Sequence, residues 1–404
     1  MSEDEILNKL LSHKLSFYEI DKIVGVSEAV ALRRRAVEKL TGVRLQHVSR
    51  FSVDASSVAG RNIENMIGTV QVPLGIAGPI HVKGEYANGD YYLPLATTEG
   101  ALVASVNRGC TVIREGGGAV VRILKDEMTR APVFVCENIE GVVKFINWVK
   151  SNINRMKNAA ATTTSHGSLL GVEHFVTGRN VWLRFSFDTK DAMGMNMVTI
   201  ATDAVCNLVL EENADVKLVS VSGNMCVDKK PSAVNTIMGR GKTVVAEVVI
   251  PDKTVESKLK TTPEKLVEVN YRKNLLGSIR ACSLGFNAHA ANILSAMFIA
   301  CGQDAAHVVE GSTAITTIEK TDIGVHVSVT LPSLQVGTVG GGTHIDTQRE
   351  SLEILGVAGA GEPEGNNAKK LGEIIASAVL AGEISLIAAQ AAHQLVDAHK
   401  RLGR

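Results

Sequence analysis

Apolar positions change their period several times along this chain, and each change marks a different kind of element. Over residues 1–45, positions such as Ile6, Leu10 and Leu11 recur at helical spacing, which predicts short helices in a small helical N-terminal domain, 1–50. From residue 131 the pattern shifts. APVFVCENI (131–139) reads as a strand and EGVVKFINWVKSNINRMKN (140–158) as one helix. GSLLGVEHFVTG (167–178) and NVWLRFSFDT (180–189) read as a hairpin, DAMGMNMVTIATDAVCNLVLEEN (191–213) as a helix, and VKLVSVSG (216–223) as a strand. The order βαββαβ is the ferredoxin-like split arrangement. It predicts an α+β fold in which a compact domain, 131–220, is inserted into a larger α/β domain made of 51–130 and 221–404.

The longest apolar stretches, around 290–301 and 374–392, are too short for a membrane span or are interrupted by Glu383. The start, MSEDEILNKLLSHKLS, is amphipathic and partly acidic, without the basic n-region and apolar run of a signal peptide. A soluble, cytoplasmic protein without membrane partners is expected. Lys+Arg and Asp+Glu are equal at 42 each, so no overall field favours nucleic acid or an anionic surface. Only 4% of residues are aromatic and no basic patch interleaves with them, which argues against a nucleic-acid partner. The cysteines at 110, 136, 206, 226, 282 and 301 form no CxxC pair and read as free thiols of a reducing compartment. No metal site is expected.

Charged residues stand out where the surroundings are small. LATTEGALVASVNRGC (95–110) and VSGNMCVDKKPSAVN (221–235) place Glu99, Asp228, Lys229 and Lys230 among Gly, Ala and Ser. FDTKDAMGMNM (187–197) and IACGQDAA (299–306) again set acidic residues beside Gly, and His399 closes a long helical pattern. A buried charge costs several kcal/mol unless paired, so these residues suggest a shared, partly dry site. GVAGAGEPEG (356–365) lacks GxGxxG spacing and reads as a loop, and GRGKT (239–243) fails as a phosphate loop because its first glycine position is Thr236. The start of the DAMGMNM helix is a better anion site. Asp191 would cap it, Gly194 would let a ligand approach, and its free N–H groups favour negative charge.

These segments, with ENMIGTVQVPLGIAGP (64–79), VNYRKNLLGS (269–278), NAHAANI (287–293) and TVGGGT (338–343), resemble hydroxymethylglutaryl-coenzyme A (HMG-CoA) reductase. The likeness covers nearly everything after about residue 50. The ATTEG and DAMGMNM forms resemble the biosynthetic (class I) branch, and the absence of an N-terminal anchor resembles soluble archaeal-type members. The resemblance implies two-hydride reduction of HMG-CoA to mevalonate and free coenzyme A for isoprenoid biosynthesis. NADPH is the expected cofactor, with NADH the alternative, held by the inserted non-Rossmann domain. It implies catalytic roles for Glu99 (acid for the second reduction), Lys229 (electrophile), Asp304 (tuning Glu99) and His399 (proton donor to the leaving thiolate). His399 would sit on a terminal segment that closes over substrate.

The resemblance also points to Arg130, Ser222, Asp228, Lys230, Lys273 and Asn292 for the HMG moiety, and to Ser105, Asn107 and Arg108 for coenzyme A. Cofactor contacts are expected from Asp191, Met193, Gly194, Met195, Asn196, Gly340 and Gly341, and from Ser165 and His166, which stand where NADPH-preferring members often carry an arginine. ENMIG resembles a segment that crosses the subunit interface. A homodimer or tetramer with active sites between subunits is therefore expected.

Overall fold

In the computed structural model of the chain, residues 1–392 are described. The expected N-terminal helices are present as Glu3–Leu11 and Val26–Thr41, joined through a 3₁₀ turn at Phe17–Lys22. Ser2 and Glu5 form a reciprocal capping box that satisfies two otherwise orphaned N–H donors at the first helix. Ile6, Leu7, Leu10, Ile20, Ala29, Leu32 and Ala36 then pack together, with Leu11 partly buried at their edge.

Ten strands follow: β1 Leu74–Lys83, β2 Asn88–Ala96, β3 Ala119–Arg130, β4 Val133–Cys136, β5 Ser168–Thr177, β6 Asn180–Asp188, β7 Val216–Ser220, β8 Gly241–Pro251, β9 Ile315–Thr321 and β10 Gly324–Leu334. β4 to β7 carry the expected βαββαβ order. β6 lies antiparallel to both β4 and β5, and β7 lies antiparallel to β4, giving the spatial order β7-β4-β6-β5 of the split arrangement. Helices Ile139–Ser151, Ile153–Ala161 and Met195–Glu212 cover it. Phe134, Phe145, Leu183, Phe185, Val205 and their neighbours form its own apolar core.

The stretch 140–158, read as one helix, is two. Asn152 ends the first and begins the second with φ −117° and ψ 19°, and its side-chain amide donates to the Trp148 carbonyl at 2.9 Å. A short polar side chain that bonds nearby backbone competes with the helical ladder, and here it breaks the run.

β3 is the seam. Val120–Glu127 pair with β8, whereas Met128, Thr129 and Arg130 pair with β6, so Arg130 ends a strand shared by both halves of the sheet. β8, β10 and β9 continue antiparallel, and the β1–β2 hairpin joins through a parallel contact with β3.

Helix Asn366–Ala391 runs against β1, β3, β8, β10 and helices Leu102–Glu115 and Ala290–Ala300. Length and apolarity alone would suit it to a membrane, but 89% of its most apolar window is buried inside the fold. Its two buried glutamates are fully used. Glu373 accepts from the N–H groups of Glu85, Tyr86 and Ala87 at the β1–β2 turn (3.0, 2.9 and 2.6 Å). Glu383 accepts from Ala288 N, His289 N and Thr316 Oγ1, each at 2.7 Å, which closes the start of the Ala290–Ala300 helix. Hydrogen bonds to a charged acceptor contribute about 1.5–3 kcal/mol each, enough to offset the desolvation of a buried carboxylate.

Candidate active site

Loop 221–232 and the Asp304–Gly311 stretch meet at the floor of a cleft of about 820 Å³. Its lining includes Arg130, Asp228, Lys229, Asp304, Met193, Gly194, Met195, Asn196, Gly340 and Gly341. The loop is under backbone strain, with Asn224, Val227 and Lys229 all at left-handed φ (64°, 50° and 58°). Such conformations persist only where surroundings over-determine them. Here Asn235 Nδ2 donates to the Val227 carbonyl at 2.9 Å, Trp182 Nε1 donates to the Gly223 carbonyl at 2.8 Å, and Lys229 N–H donates to Glu310 Oε1 at 3.1 Å.

The Lys229 ammonium lies 2.8 Å from Asp304 Oδ2. That hydrogen bond raises the lysine pKa against the opposing effect of partial burial. Burial pushes the Asp304 carboxyl upward, but the bond from Lys229 and the nearby His307 outweigh it and hold the group below the usual range. Within the chain, Asp304 thus pairs with Lys229. The carboxylate of Glu99 is exposed and accepts from Asn292 Nδ2 at 3.1 Å. The helix beyond Glu99 begins only at Leu102, after a left-handed Ala101.

Asp228 is engaged from within. Arg240 Nη2 and His307 Nε2 both approach its Oδ1, at 3.0 and 3.1 Å, and Arg130 Nη1 lies 3.9 Å from Oδ2. Burial raises its pKa, but the hydrogen bond to His307 and the nearby charges of Arg240 and Lys229 outweigh it, and the group stays well below the ordinary carboxylate range. Asp228 therefore ties the loop to Arg240 and to His307. Asp228, His307 and Glu310 lie within 4.8 Å of one another, a spacing that could ligate a divalent ion. Arg240 supplies the positive charge between the two carboxylates instead. Arg240, His307 and Glu310 were missed in the sequence, although GRGKT and QDAAHVVEG show the same signal of charges among small residues.

The opposite wall is the DAMGMNM turn. Its helix runs Met195–Glu212, with Gly194 at φ 88° in the cap position and no side-chain acceptor on its first N–H groups. Asp191 does not cap it. That residue is 2% exposed, and its carboxylate accepts from Gly361 N, Gly365 N and Ala368 N at 2.8, 2.6 and 2.9 Å, anchoring the start of helix Asn366–Ala391. GVAGAGEPEG is indeed a loop, and its glycine N–H groups serve this anchor. The helix start at Met195 is thereby left open to an anion, as helix dipoles favour. Thr338 N and Val339 N bond the Asp191 carbonyl, and a Cβ at Gly337 would stand 2.4 Å from Met193 N, so only glycine permits this approach.

The family model described as hydroxymethylglutaryl-coenzyme A reductase matches residues 29–404. The chain belongs to the HMG-CoA reductase family. It is 54% identical to 3-hydroxy-3-methylglutaryl-coenzyme A reductase of Pyrococcus horikoshii over 99% of this chain and 98% of that one. Identity to reductase 3 of Oryza sativa is 44%, over 100% of this chain and 72% of the rice protein. Among solved structures, the class II reductase of Streptococcus pneumoniae bound to NADPH aligns with a TM-score of 0.66 at 19% identity, over 93% of this chain and all of that one. That likeness supports the α+β, non-Rossmann fold.

The other residues expected from the reductase resemblance fall in several places. Ser165 and His166 are exposed, with His166 Nδ1 3.8 Å from Glu364 Oε1, and neighbouring Thr164 Oγ1 reaches Met197 Sδ at 3.3 Å near the open helix start. Ser222 lies on the strained loop, its hydroxyl 3.9 Å from Cys226 Sγ, and Lys230 bonds the Asp228 carbonyl at 3.1 Å. Asn292 lines a second pocket beside Pro231. Lys273 sits on a π-helical stretch, Asn270–Gly277, and donates to Asn274 Oδ1 at 2.9 Å.

Ser105 and Arg108, expected at coenzyme A, make contacts within the chain. Ser105 Oγ bonds Ser385 Oγ at 2.9 Å, and Arg108 donates to the Ser385 hydroxyl and carbonyl at 3.0 and 2.6 Å, which docks their helix on the core helix. Asn107 is exposed and accepts from Gly78 N at 3.0 Å. His399 lies outside the described residues.

Proposed function

We propose that this chain reduces HMG-CoA to mevalonate and free coenzyme A with NADPH, in the biosynthetic sense of the reaction. The observation that carries the reading is the Lys229–Asp304 pair in a cleft that also holds Arg130 and an uncapped helix start. Arg130 is partly buried and its Nε has no protein partner, which suits it to the free carboxylate of HMG. Lys229 presents an ammonium where negative charge develops on the thioester oxygen, and Asp304 keeps it protonated and in place. The cofactor supplies hydride, once to the thioester and once to the aldehyde that follows loss of coenzyme A. Glu99 protonates the aldehyde oxygen and His399 the leaving thiolate.

Glu99 does not line the cleft of Lys229 within one chain, and Asn292 opens into a separate pocket. The two groups would be completed against each other in a homodimer, which supports a subunit-shared site. The ferredoxin-like domain, 131–220, is the cofactor half, with Met193 to Asn196 and the open helix at its edge. Gly340 and Gly341 face it from the larger domain, where a Cβ at either would meet no atom within 4 Å. The ATTEG and DAMGMNM forms are what support membership of the biosynthetic branch. A cytoplasmic location accords with that reading.

The test is stoichiometric. Purified protein is given HMG-CoA with NADPH, and separately NADH, while mevalonate and free coenzyme A are assayed. Two NADPH oxidised per mevalonate supports the proposal; a folded protein that binds HMG-CoA without turnover refutes it.

A further inference from the structure

Lys229 is held from two directions by one short stretch of chain. Asp304 takes its ammonium at 2.8 Å, and Glu310, on the next turn, takes its backbone N–H at 3.1 Å. The left-handed φ of 58° costs a residue with a Cβ about 1–2 kcal/mol, so the second contact bears on the part of the residue least inclined to stay where it is.

Glu310 is fully buried, and the same Oε1 accepts from Arg240 Nη1 at 2.7 Å. Burial pushes its pKa up, opposed chiefly by Arg240 and His307. The other arm of Arg240 reaches Asp228. One planar guanidinium thus fixes residue 228 through its side chain and residue 229 through the carboxylate that grips its backbone, a fork that a point-charge lysine cannot reproduce. Buried ion pairs contribute little to net stability compared with apolar packing, so the effect of this one lies in what it orients.

We propose that Glu310 is a positioning residue for the reduction, with Arg240 as its fixed counter-ion, the two holding the residue 229 backbone so that the Lys229 ammonium meets Asp304 and the cleft at one place. The inference rests on Lys229 as the electrophile. The charged groups facing Lys229 and Glu310 are Asp228 and Lys230 on the loop, Asp304 and His307 on the opposing stretch, Arg130 at the end of β3 and Arg240 ahead of β8.

The test compares Glu310→Gln, Arg240→Lys and Lys229→Met in the full-length protein, with HMG-CoA and NADPH as substrates. Glu310→Gln is expected to lose at least tenfold in kcat with KM for HMG-CoA within twofold, and its alkaline limb of kcat should move to lower pH because a negative charge near Lys229 is gone. Arg240→Lys should lose kcat in the same way, and it decides the matter if Glu310→Gln does not fold. A folded Glu310→Gln with wild-type kcat and an unmoved limb, beside an inactive Lys229→Met, overturns the positioning role alone. Normal turnover by Lys229→Met overturns the reading of Lys229 and this proposal with it.

Discussion

Asp304 and Lys229 form a direct ion pair, 2.8 Å from carboxylate oxygen to ammonium nitrogen, at the floor of the cleft. The lysine pKa is raised, so its share of the pairing is present below the ordinary lysine value and is lost as pH rises through the raised one. The aspartate pKa is lowered, so its share is present above the ordinary aspartate value and is lost as pH falls through the lowered one. The pair is therefore intact across the neutral range. Asp304→Asn removes the main contact that raises the lysine, and the alkaline limb of kcat should shift to lower pH as kcat falls. A pH–rate profile from pH 6 to 10, roughly spanning the approach to the ordinary lysine value, checks this, and an unmoved limb counts against the pair.

Asp191 anchors the core helix, its carboxylate accepting from three backbone N–H groups. In Asp191→Asn one oxygen becomes an NH₂ facing backbone N–H donors, so a buried donor loses its acceptor at a cost of about 2 kcal/mol. The urea midpoint should fall with the m-value unchanged. Full stability combined with weakened NADPH binding would return Asp191 to the cofactor site.

Ser165 is exposed, next to Thr164, which reaches Met197 near the open helix start, and carries no charge for a 2′-phosphate. Ser165→Arg should raise the ratio of kcat/KM for NADPH to that for NADH, by several-fold for a new charge-assisted contact worth about 1 kcal/mol. An unchanged ratio removes this loop from cofactor choice.

Cys282 is exposed, whereas the other five cysteines are buried, with Cys110, Cys206 and Cys301 pushed up to about 12 by burial. A thiol reagent at pH 8 should titrate a single cysteine in the native protein quickly and all six after denaturation. Rapid reaction of a second native thiol would contradict this packing.

Local pattern was legible and distant partnership was not. The ferredoxin-like unit could be read because each of its elements announces itself within about ten residues by its own period. Asp191 stands four residues before a helix and looks like its cap, yet its partners lie 170, 174 and 177 positions along the chain. Arg108 reads as a ligand contact, and its acceptor is 277 residues away. Arg240 and Glu310 lie 70 apart in the chain, and nothing near either one signals the other. Asn152 is the converse case, a local hydrogen bond that cut a helix whose apolar period ran straight through it.

Helix Asn366–Ala391 follows every strand among the described residues, yet its Glu373 closes the turn of the first hairpin and its Glu383 seats the Ala290–Ala300 helix. During synthesis, the larger part of the protein must wait with its apolar sheet face uncovered until residue 391 has cleared the ribosome. The ferredoxin-like unit, with a core of its own, can settle earlier. A message cut short before this helix would therefore yield a chain with one folded island and a long aggregation-prone remainder, a substrate for chaperones and proteases and not a weakened enzyme.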